Sequence, residues 1–241
     1  MTQIESAQNP RLKAIKRLQS KRDRAREGLF AVEGEDLLAA ATRAGSRAVE
    51  GFRVTGSGLG GEEFVDVEQR ALAAVSTLGS GTRAIGVYEQ RWAERPSGPL
   101  CVYLHGVGDP GNVGTVLRSA SAFGASGVAL GPGCADPYGP KAVRASMGAI
   151  FEVEIARVES VAQLPGERVA LVAGGGEPLR KLDGPVTLLI GAEREGLPSE
   201  VVGACERTAH IPIEAESLNA AMAATVALYE MSRHANRVAA K

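Results

Sequence analysis

The sequence predicts an α/β fold in two parts, a small N-terminal α/β domain in residues 1–95 and a larger C-terminal domain in residues 96–241. In the second part, apolar runs of strand length alternate with turns and helical segments, a pattern typical of a parallel sheet covered on both faces. The first part mixes shorter β-like and helical runs over a length that suits a small domain. Residues 91–99, RWAERPSGP, collect Pro, Gly and Ser, and we place the linker there.

Composition excludes several classes of protein. The 241 residues contain 27 Lys and Arg against 28 Asp and Glu, so the net charge of −1 gives no global argument for nucleic acid or membrane. Cys101, Cys134 and Cys205 lie too far apart to indicate a disulfide framework or a zinc site, and we expect no metal. No apolar run approaches the roughly 20 residues of a membrane span, and residues 1–28 are too polar for a signal peptide. We therefore expect a cytoplasmic protein without a membrane partner.

The N-terminal stretch NPRLKAIKRLQSKRDRAREGLFAVEG is strongly basic. Leu12 and Ile15, with Gln19, line one side at helical spacing, which predicts an amphipathic helix with a basic outer face. An ordinary solvated helix would show the same pattern. Because the acids of the chain lie elsewhere, we favour a surface that contacts phosphates through Arg11, Lys13, Lys16, Arg17, Lys21 and Arg22.

The C-terminal strands are predicted at six apolar runs, residues 100–107, 127–132, 153–158, 168–174, 186–192 and 208–213. Parallel sheets bind ligands at the carboxyl ends of their strands. The residues that follow each run are therefore the candidates for a functional site.

The first such loop, HGVGDPGNVGTVLRSASAFGA, supports two interpretations. Residues 106–111 match G-x-G-x-x-G, the motif of a nicotinamide-dependent enzyme, but the acidic residue expected about 20 positions later is missing from the next strand. Alternatively, Asn112 is the N-cap of a helix on which Gly114 and Arg118 share a face one turn apart. The glycine would leave space for the guanidinium of Arg118 to fold back toward the strand ends.

Two later loops carry further candidates. In LLIGAEREGLPSEVV, Gly191 ends a strand and would let a ligand approach the backbone, and Glu193 follows it. In IPIEAESLNAAMAATVALYE, Ser217 is predicted to be the N-cap of an apolar helix. Asn219 is a poor helix former in that position, which indicates that the start of this helix closes over a site.

Together, DPGNVGTVLRSASAFGASGV, LLIGAEREGLP and IPIEAESLNAAMAATVALYE resemble, in order and spacing, the three motifs of the SpoU/TrmH family of RNA ribose 2′-O-methyltransferases, in the SPOUT superfamily. The resemblance covers about residues 100–235, and residues 141–158 are similar to the intermediate segment of the family. The basic N-terminal part is similar, more weakly, to the ribosomal-protein-like RNA-binding domain of many members. The resemblance implies a trefoil knot in the C-terminal domain, a homodimer through that domain, and S-adenosylmethionine as cofactor.

The resemblance also implies roles for single residues. Gly191, Ile211 and Leu218 would hold the cofactor, with Gly196 and Ile213 shaping its pocket. The residue matching Arg118 is the family's proposed activator of the 2′-hydroxyl. Because a guanidinium is effectively always protonated, we expect Arg118 instead to bind the neighbouring phosphate or stabilise the developing alkoxide. The geometry around it would be fixed by Asn112, Glu193, Ser217 and Asn219.

The chain departs from the family pattern at two points. Asp109 stands where the first motif more usually has Asn, a change compatible with a turn. The segment Glu214-Ala215-Glu216 is shorter than the glycine-containing loop of the family, so we expect a different backbone path or weaker cofactor binding there. The predicted substrate is structured RNA, ribosomal RNA in preference to transfer RNA. The alternative is a noncatalytic RNA-binding or ribosome-assembly factor with the same fold.

Overall fold

The computed structural model describes residues 3–61, 63–78 and 81–233. The chain divides into two compact units. The N-terminal unit comprises the chain up to Gln90 together with Asp136–Phe151, and the C-terminal unit comprises Arg91–Ala135 and the chain from Glu152 onward. The predicted class, a small α/β unit followed by a parallel-sheet unit, is confirmed.

The helices and strands of the first ninety residues follow the mixed pattern seen in the sequence. In chain order they are α1 Pro10–Arg17, α2 Lys21–Glu27, β1 Leu29–Glu33, α3 Glu35–Arg43, β2 Glu50–Val54, β3 Phe64–Val67, α4 Gln69–Ala73 and β4 Ala84–Glu89. The four strands form one sheet in the order β1-β4-β2-β3, in which β4 is antiparallel to β1 and β2.

The basic N-terminal segment forms two helices where one was predicted. Ser20 accepts a hydrogen bond from the backbone N–H of Asp23 and so begins α2, because a serine hydroxyl supplies the acceptor that a helix N-terminus lacks. The buried side of α1 consists of Leu12 and Ile15 and is continued by Leu18. The expectation that Gln19 lies on this side was wrong, since Gln19 is exposed and donates from Nε2 to the carbonyl of Val75.

The core of the N-terminal unit lies between the sheet and α1 with α4. Leu12, Phe52, Leu72 and Ile85 are fully buried in this cluster. Because side chains alternate across a strand, the neighbours of Phe52 and Ile85 face the other side of the sheet, where α3 packs.

Residues Asp136–Phe151 pack with the N-terminal unit. The aromatic rings of Tyr138 and Phe151 lie 4.8 and 5.9 Å from that of Phe30. Asp136 accepts from Nε and Nη2 of Arg24 at 3.0 and 2.7 Å, in an ion pair whose side chains are 9% and 5% exposed. This division differs from the predicted boundary at residue 95, because an aromatic cluster and a buried ion pair join a distant segment to the first unit.

The rest of the chain adds the second sheet with its helices and, within the N-terminal unit, helix α6. In chain order they are β5 Leu100–Leu104, α5 Pro110–Phe123, β6 Gly127–Leu130, α6 Pro140–Ser146, β7 Glu154–Arg157, β8 Glu167–Leu171, β9 Glu177–Pro178, β10 Val186–Ile190, α7 Ser199–Gly203, β11 Arg207–His210 and α8 Ala220–Ser232. Short 3₁₀ turns lie at Ala149–Phe151 and Val161–Gln163.

The second sheet is parallel throughout, with the order β7-β6-β5-β10-β8-β11-β9 in the described part of the chain. Each of the six predicted runs contains or overlaps a strand, although most strands end before the run does. The two-residue strand β9 at the sheet edge was missed, because a run that short carries no periodicity. The trefoil knot implied by the family resemblance stays a prediction.

Helices α5 and α8 pack against each other in the C-terminal unit. The hydroxyls of Ser119 and Thr225 lie 2.7 Å apart, and the rings of Phe123 and Tyr229 meet edge to face at 5.9 Å. No helix within the described ranges is long and apolar enough to cross a membrane. Those ranges also hold no group of three or more His, Cys, Asp or Glu side chains arranged to bind a metal ion.

Candidate active site

A cavity of about 500 Å³ lies at the carboxyl edge of the second sheet. Three neighbouring parallel strands, β10, β8 and β11, end there, and the first turn of α8 closes one side. Ligands bind at this edge of parallel sheets because the strands stop and their loops diverge. We call it the carboxyl-edge cavity.

Gly191 allows the chain to cross itself closely at the mouth of this cavity. A Cβ on Gly191 would lie 2.1 Å from the carbonyl carbon of Gly196 and 2.3 Å from the nitrogen of Leu197. The backbone N–H of Gly196 donates to the carbonyl of Ala192 at 2.9 Å, and Gly196 adopts a φ of +67°, which favours glycine. Two glycines therefore bring a tight backbone turn to the wall of the cavity.

All five residues predicted to bind the cofactor line the carboxyl-edge cavity, namely Gly191, Gly196, Ile211, Ile213 and Leu218. Ile211 and Ile213 were predicted inside a strand, but β11 ends at His210. They lie beyond the strand end and so contribute side chains to the cavity. The shortened segment Glu214-Ala215-Glu216 still reaches the cavity, since Glu216 lines it.

Three polar side chains meet beside the cavity, one from the first turn of α5, one from the loop after β10 and one from the N-cap of α8. Asn112 and Asn219 both donate from Nδ2 to Oε1 of Glu193, Asn219 at 2.6 Å. Asn219 also donates to Oδ1 of Asn112 at 3.3 Å. We call this group the amide–carboxylate cluster. It fixes the orientation of two amides around one carboxylate, and Glu193 itself lines the cavity.

The helix caps differ from the predicted ones, and the difference explains the cluster. Asp109, not Asn112, caps α5, because its carboxylate accepts from the N–H of Asn112 at 3.1 Å and Pro110 suits the first helical position. Asn219, not Ser217, caps α8, and its Oδ1 accepts from the N–H groups of Ala221 and Met222 at 2.9 and 3.3 Å. The side chain of Asn112 is thereby free to reach Glu193.

The remaining predicted catalytic residues lie outside the amide–carboxylate cluster. Ser217 is exposed and lines the cavity. Arg118 is exposed on α5 and does not line the cavity, and within the described residues it makes no hydrogen bond or ion pair. The fold of a single chain therefore brings Asn112, Glu193 and Asn219 together and leaves Arg118 outside.

Several lining residues were not anticipated from the sequence. Leu171 at the end of β8, with Val172 and Ala173 just after it, forms part of the wall, and Ala220 and Ala223 contribute from α8. The first three lie inside the run 168–174 that was predicted as a strand, and they reach the cavity because β8 ends at Leu171. The G-x-G-x-x-G segment, residues 106–111, lines no part of this cavity.

The predicted basic surface lies on α1 and α2. Arg11 pairs with Glu50, and Nε of Arg17 lies 3.9 Å from the carboxylate of Glu27. The other four predicted residues are exposed and make no ion pair within the part of the chain that the structure describes: Lys13, Lys16, Lys21 and Arg22. Arg24, from the same basic run, is buried and paired, so it adds nothing to this surface.

The fold and the site define an α/β protein with a ligand cavity at the carboxyl edge of a parallel sheet and a polar cluster beside it. Residues 99–229 match the model of the SpoU rRNA Methylase family, and residues 9–85 match that of the MRM3-like substrate binding domain. The chain belongs to the SpoU rRNA methylase family.

Relatives of known name cover nearly the whole chain. The 23S rRNA (guanosine(2553)-2′-O)-methyltransferase RlmP of Bacillus subtilis is 27% identical over 96% of this chain and 99% of its own. The crystal structure of an AdoMet-bound rRNA methyltransferase from Sinorhizobium meliloti is 31% identical, with a TM-score of 0.85 over 97% of this chain and 98% of that one. The SpoU methyltransferase AviRb from Streptomyces viridochromogenes, in complex with AdoMet, is 28% identical, with a TM-score of 0.82 over 97% and 100% of the two chains.

Proposed function

We propose that this protein transfers the methyl group of S-adenosylmethionine to a ribose 2′-hydroxyl of ribosomal RNA. The observation that carries the proposal is the amide–carboxylate cluster of Asn112, Glu193 and Asn219 at the side of the carboxyl-edge cavity. Family membership and the names of the relatives support the same reaction. Since ribosomal RNA is the proposed substrate, we also propose a cytoplasmic location.

The carboxyl-edge cavity fits the cofactor in shape and chemistry. Its volume of about 500 Å³ is in the range of small-molecule pockets, roughly 300–1,000 Å³. The close approach at Gly191 brings the backbone of Gly196 and Leu197 to the cavity wall, and Ile211 and Leu218 supply apolar contacts. When bound, S-adenosylmethionine supplies an activated methyl group on a sulfonium. We propose that Gly191, Gly196, Ile211, Ile213 and Leu218 hold it.

The amide–carboxylate cluster would position the ribose. Methyl transfer is an in-line displacement, so the protein must align the 2′-oxygen and help to remove its proton. Asn219 is held by its own helix on one side and by Glu193 on the other, which fixes both ends of its amide. We propose that the cluster, with the hydroxyl of Ser217, orients the ribose toward the cavity.

We propose that Arg118 binds the phosphate next to the reacting ribose or stabilises the alkoxide that forms on it. Its exposure and lack of an ion pair within the described chain leave its donors available to an incoming RNA. A guanidinium offers two parallel donors to a phosphate, which lysine does not. We expect Arg118→Lys to lose most activity while cofactor affinity is kept. Nearly full activity of the lysine variant would contradict this role.

We propose that the protein is a homodimer through its C-terminal unit. Met222, Val226 and Tyr229 recur along one side of α8 and are 56%, 41% and 54% exposed, an unusual apolar stripe for a helix of this size. Arg118 lies on α5, which packs against α8, so a two-fold contact along this stripe would bring the arginines toward the interface. Light scattering after size-exclusion chromatography should give twice the chain mass for the wild type and one chain mass for Val226→Glu.

We propose that α1 and α2 contact the phosphates of the RNA through Lys13, Lys16, Lys21 and Arg22. Exposed lysines and arginines bind nucleic acid by releasing counterions, so each lost contact lowers the salt dependence of binding. Neutralising the four together should weaken RNA binding and flatten its dependence on salt concentration. Cofactor binding should be unchanged.

The decisive experiment measures transfer of labelled methyl from S-adenosylmethionine to unmodified ribosomal RNA and to unmodified transfer RNA. Wild type should label the ribosomal RNA at a ribose, and Asn219→Asp should label it far more weakly. Aspartate keeps the helix cap but loses the Nδ2 donor and sets a second carboxylate beside Glu193, so the fold is preserved while the cluster is broken. Asn9→Asp, at the cap of α1, is the matched control.

The alternative function is a noncatalytic RNA-binding or assembly factor. Wild-type protein that is folded and binds ribosomal RNA, but neither binds S-adenosylmethionine nor transfers its methyl group, would favour that alternative. Labelling of transfer RNA alone would keep the reaction and replace the substrate.

A further inference from the structure

The N-terminal unit contains a second cavity that plays no part in the chemistry proposed above. Its volume is about 910 Å³, and it lies along α3, between that helix, the loop before β3 and the end of β4. Its lining includes the apolar side chains of Leu38, Phe64 and Tyr88 and the polar side chains of Ser46 and Glu63. We call it the α3 cavity.

Two aromatic rings form one wall of the α3 cavity because the sheet beneath them has no side chains. Gly51 of β2 and Gly86 of β4 are directly opposite each other in the sheet. A Cβ on Gly51 would lie 2.4 Å from the ring of Phe64, and one on Gly86 would lie 2.7 Å from the ring of Tyr88. The rings therefore rest on bare backbone, on the face of the sheet opposite Phe52 and Ile85, and at 4% and 5% exposure only small parts of Phe64 and Tyr88 reach the cavity.

The loop that forms another wall is held in place by Arg53. Its Nε donates to Asp66 at 2.8 Å, and its Nη1 donates to the carbonyls of Leu59 and Gly61 at 3.2 and 3.3 Å. These bonds tie the loop to β2 and β3. The positions of Leu59 and Gly61 in the wall are therefore fixed, which lowers the entropic cost of binding a ligand.

The rim of the cavity combines free positive charge with carboxylates. Arg43 and Arg47 are exposed and make no ion pair within the described ranges. Of the carboxylates that line the cavity, Glu35 is paired with Arg83, and Asp36 and Glu63 are acceptors available to a ligand. A ligand that carries both an anion and N–H donors would satisfy both sets.

Ser46 adds a buried hydroxyl without a partner. Gly45, with a φ of +68°, ends α3, and the N–H of Ser46 donates to the carbonyl of Ala41 at 2.9 Å. In a helix end of this kind, the residue after the glycine is usually apolar, whereas here it is Ser46. Ser46 is only 8% exposed and its Oγ makes no hydrogen bond in the described structure. Rotation about its Cα–Cβ bond would offer this hydroxyl to a molecule in the cavity that it lines.

We infer that the α3 cavity binds an unstacked nucleobase of RNA, with the backbone phosphate of that nucleotide at Arg43 and Arg47. Proteins recognise single-stranded RNA through bases that leave the stack and are hydrogen-bonded on their exposed edges, which the carboxylates and the Ser46 hydroxyl of this cavity can do. Asp36 and Glu63 accept N–H groups, so the bases with amino groups, guanine, adenine and cytosine, fit better than uracil. This inference rests on the proposed function, because it names how the N-terminal unit selects a position on the RNA.

The α3 cavity and the basic surface of α1 and α2 are different sites. Helix α1 packs on the face of the sheet that carries Phe52 and Ile85, whereas the cavity lies on the face that carries Gly51 and Gly86. The first supplies phosphate contacts alone, and the second supplies contacts to a base. Only the second can therefore distinguish one nucleotide from another.

The test titrates the full chain with each of the four nucleoside 5′-monophosphates and detects binding by saturation-transfer NMR. Saturating S-adenosylhomocysteine blocks the carboxyl-edge cavity. We expect saturable binding of the guanosine, adenosine and cytidine compounds, with uridine at least about tenfold weaker, since a good base contact gives about 1–3 kcal/mol of discrimination. The double variant Arg43→Gln/Arg47→Gln should weaken all of them about tenfold or more and leave the unphosphorylated nucleosides unchanged.

Matched variants separate a binding role from a structural one. Arg70→Gln removes an exposed arginine from α4, on the other face of the sheet, and should bind the monophosphates as the wild type does. Ser46→Ala removes an unpartnered buried hydroxyl, so its melting temperature should equal or exceed that of the wild type while binding weakens. A lower melting temperature with unchanged binding would show that Ser46 is structural only.

Two outcomes would overturn the inference: no saturable binding of any monophosphate, or equal binding by wild type and the Arg43/Arg47 variant. Neither outcome bears on methyl transfer, which is measured separately on ribosomal RNA with the same proteins. If the inference is right, the Arg43/Arg47 variant should raise the KM for RNA with little change in the affinity for S-adenosylmethionine. If methyl transfer is absent from the wild type while monophosphates still bind, the proposed function fails and the base site stands.

Discussion

Gly191→Ala tests whether the turn at the carboxyl-edge cavity requires a glycine. Gly191 does not adopt a positive φ, so alanine is compatible with its backbone conformation and acts only through its methyl group. That methyl group would lie 2.1 Å from the carbonyl carbon of Gly196, where ordinary contacts between carbon atoms begin at about 3.5 Å. The backbone of Gly196 and Leu197 must therefore retreat by more than an ångström.

The cost follows from the contacts that the retreat disturbs. Overpacking of this kind costs about 1–3 kcal/mol. The hydrogen bond from the N–H of Gly196 to the carbonyl of Ala192, 2.9 Å long, adds about 1 kcal/mol if it is lost. The total of about 2–4 kcal/mol is shared between folding stability and ligand affinity. Since 1.4 kcal/mol is a factor of ten, 2 kcal/mol in binding alone would weaken the cofactor about thirtyfold.

The assay is isothermal titration calorimetry with S-adenosylmethionine, together with thermal unfolding of the same proteins. Gly203→Ala is the matched control, because a Cβ there meets nothing within 4 Å and the residue lies at the end of α7. It should bind normally and be stabilised by up to about 1 kcal/mol, as alanine is preferred to glycine in helices. Normal affinity and stability of Gly191→Ala would refute the close-approach argument.

Three further predictions follow from side-chain contacts. Glu193→Ala should lower the single-turnover rate of methyl transfer about a hundredfold, because two amides lose the carboxylate that orients them. Glu193→Gln should be less affected because it keeps an acceptor. A rate for Glu193→Ala equal to that of the wild type would exclude a positioning role. Arg24→Met should cost about 3–5 kcal/mol in urea unfolding by leaving Asp136 buried without its partner, and adding Asp136→Asn should recover much of this loss; an unchanged midpoint would contradict it. Hydrogen bonds from Arg168 lower the pKa of Glu206 from 4.5 to about 2, so this pair stabilises the folded protein above pH 4.5 and no longer does so as the pH falls through 2. The difference in melting temperature between wild type and Glu206→Gln should therefore disappear near pH 2. A difference that stays constant with pH would contradict the lowered pKa.

The sequence predicted the caps of the two site helices less well than the helices themselves. Helix α8 was expected from its apolar composition, but several polar residues before it were able to cap it. The structure selects Asn219 because its Oδ1 reaches two backbone N–H groups while its Nδ2 reaches Glu193, which a serine hydroxyl at 217 does not do. In the same way, Asp109 caps α5, so the side chain of Asn112 is not needed as a cap and donates to Glu193 instead. Local capping preferences cannot resolve such cases, because a distant partner decides them.

The sequence predicted a single division into two units, with the boundary at residue 95. A composition shift at residues 91–99 indicated one boundary, and the structure divides the chain beside it, after Gln90. The return of Asp136–Phe151 to the N-terminal unit depends on Arg24 and Phe30, more than a hundred residues earlier in the chain. A buried ion pair and an aromatic contact between distant segments have no periodic signal in either segment.

The family resemblance named five residues of the carboxyl-edge cavity. The sequence pattern by itself determined the α/β class, most strands of the parallel sheet and the sheet edge at which the cavity lies. It did so because strand periodicity and glycine at strand ends are local properties, and because parallel strands bring their carboxyl ends to one edge. The tertiary structure alone decided that Asn112, Glu193 and Asn219 form one hydrogen-bonded cluster and that Arg118 lies outside it. Contacts between side chains that are 26 to 107 residues apart depend on how strands and helices pack, and local sequence does not encode that packing.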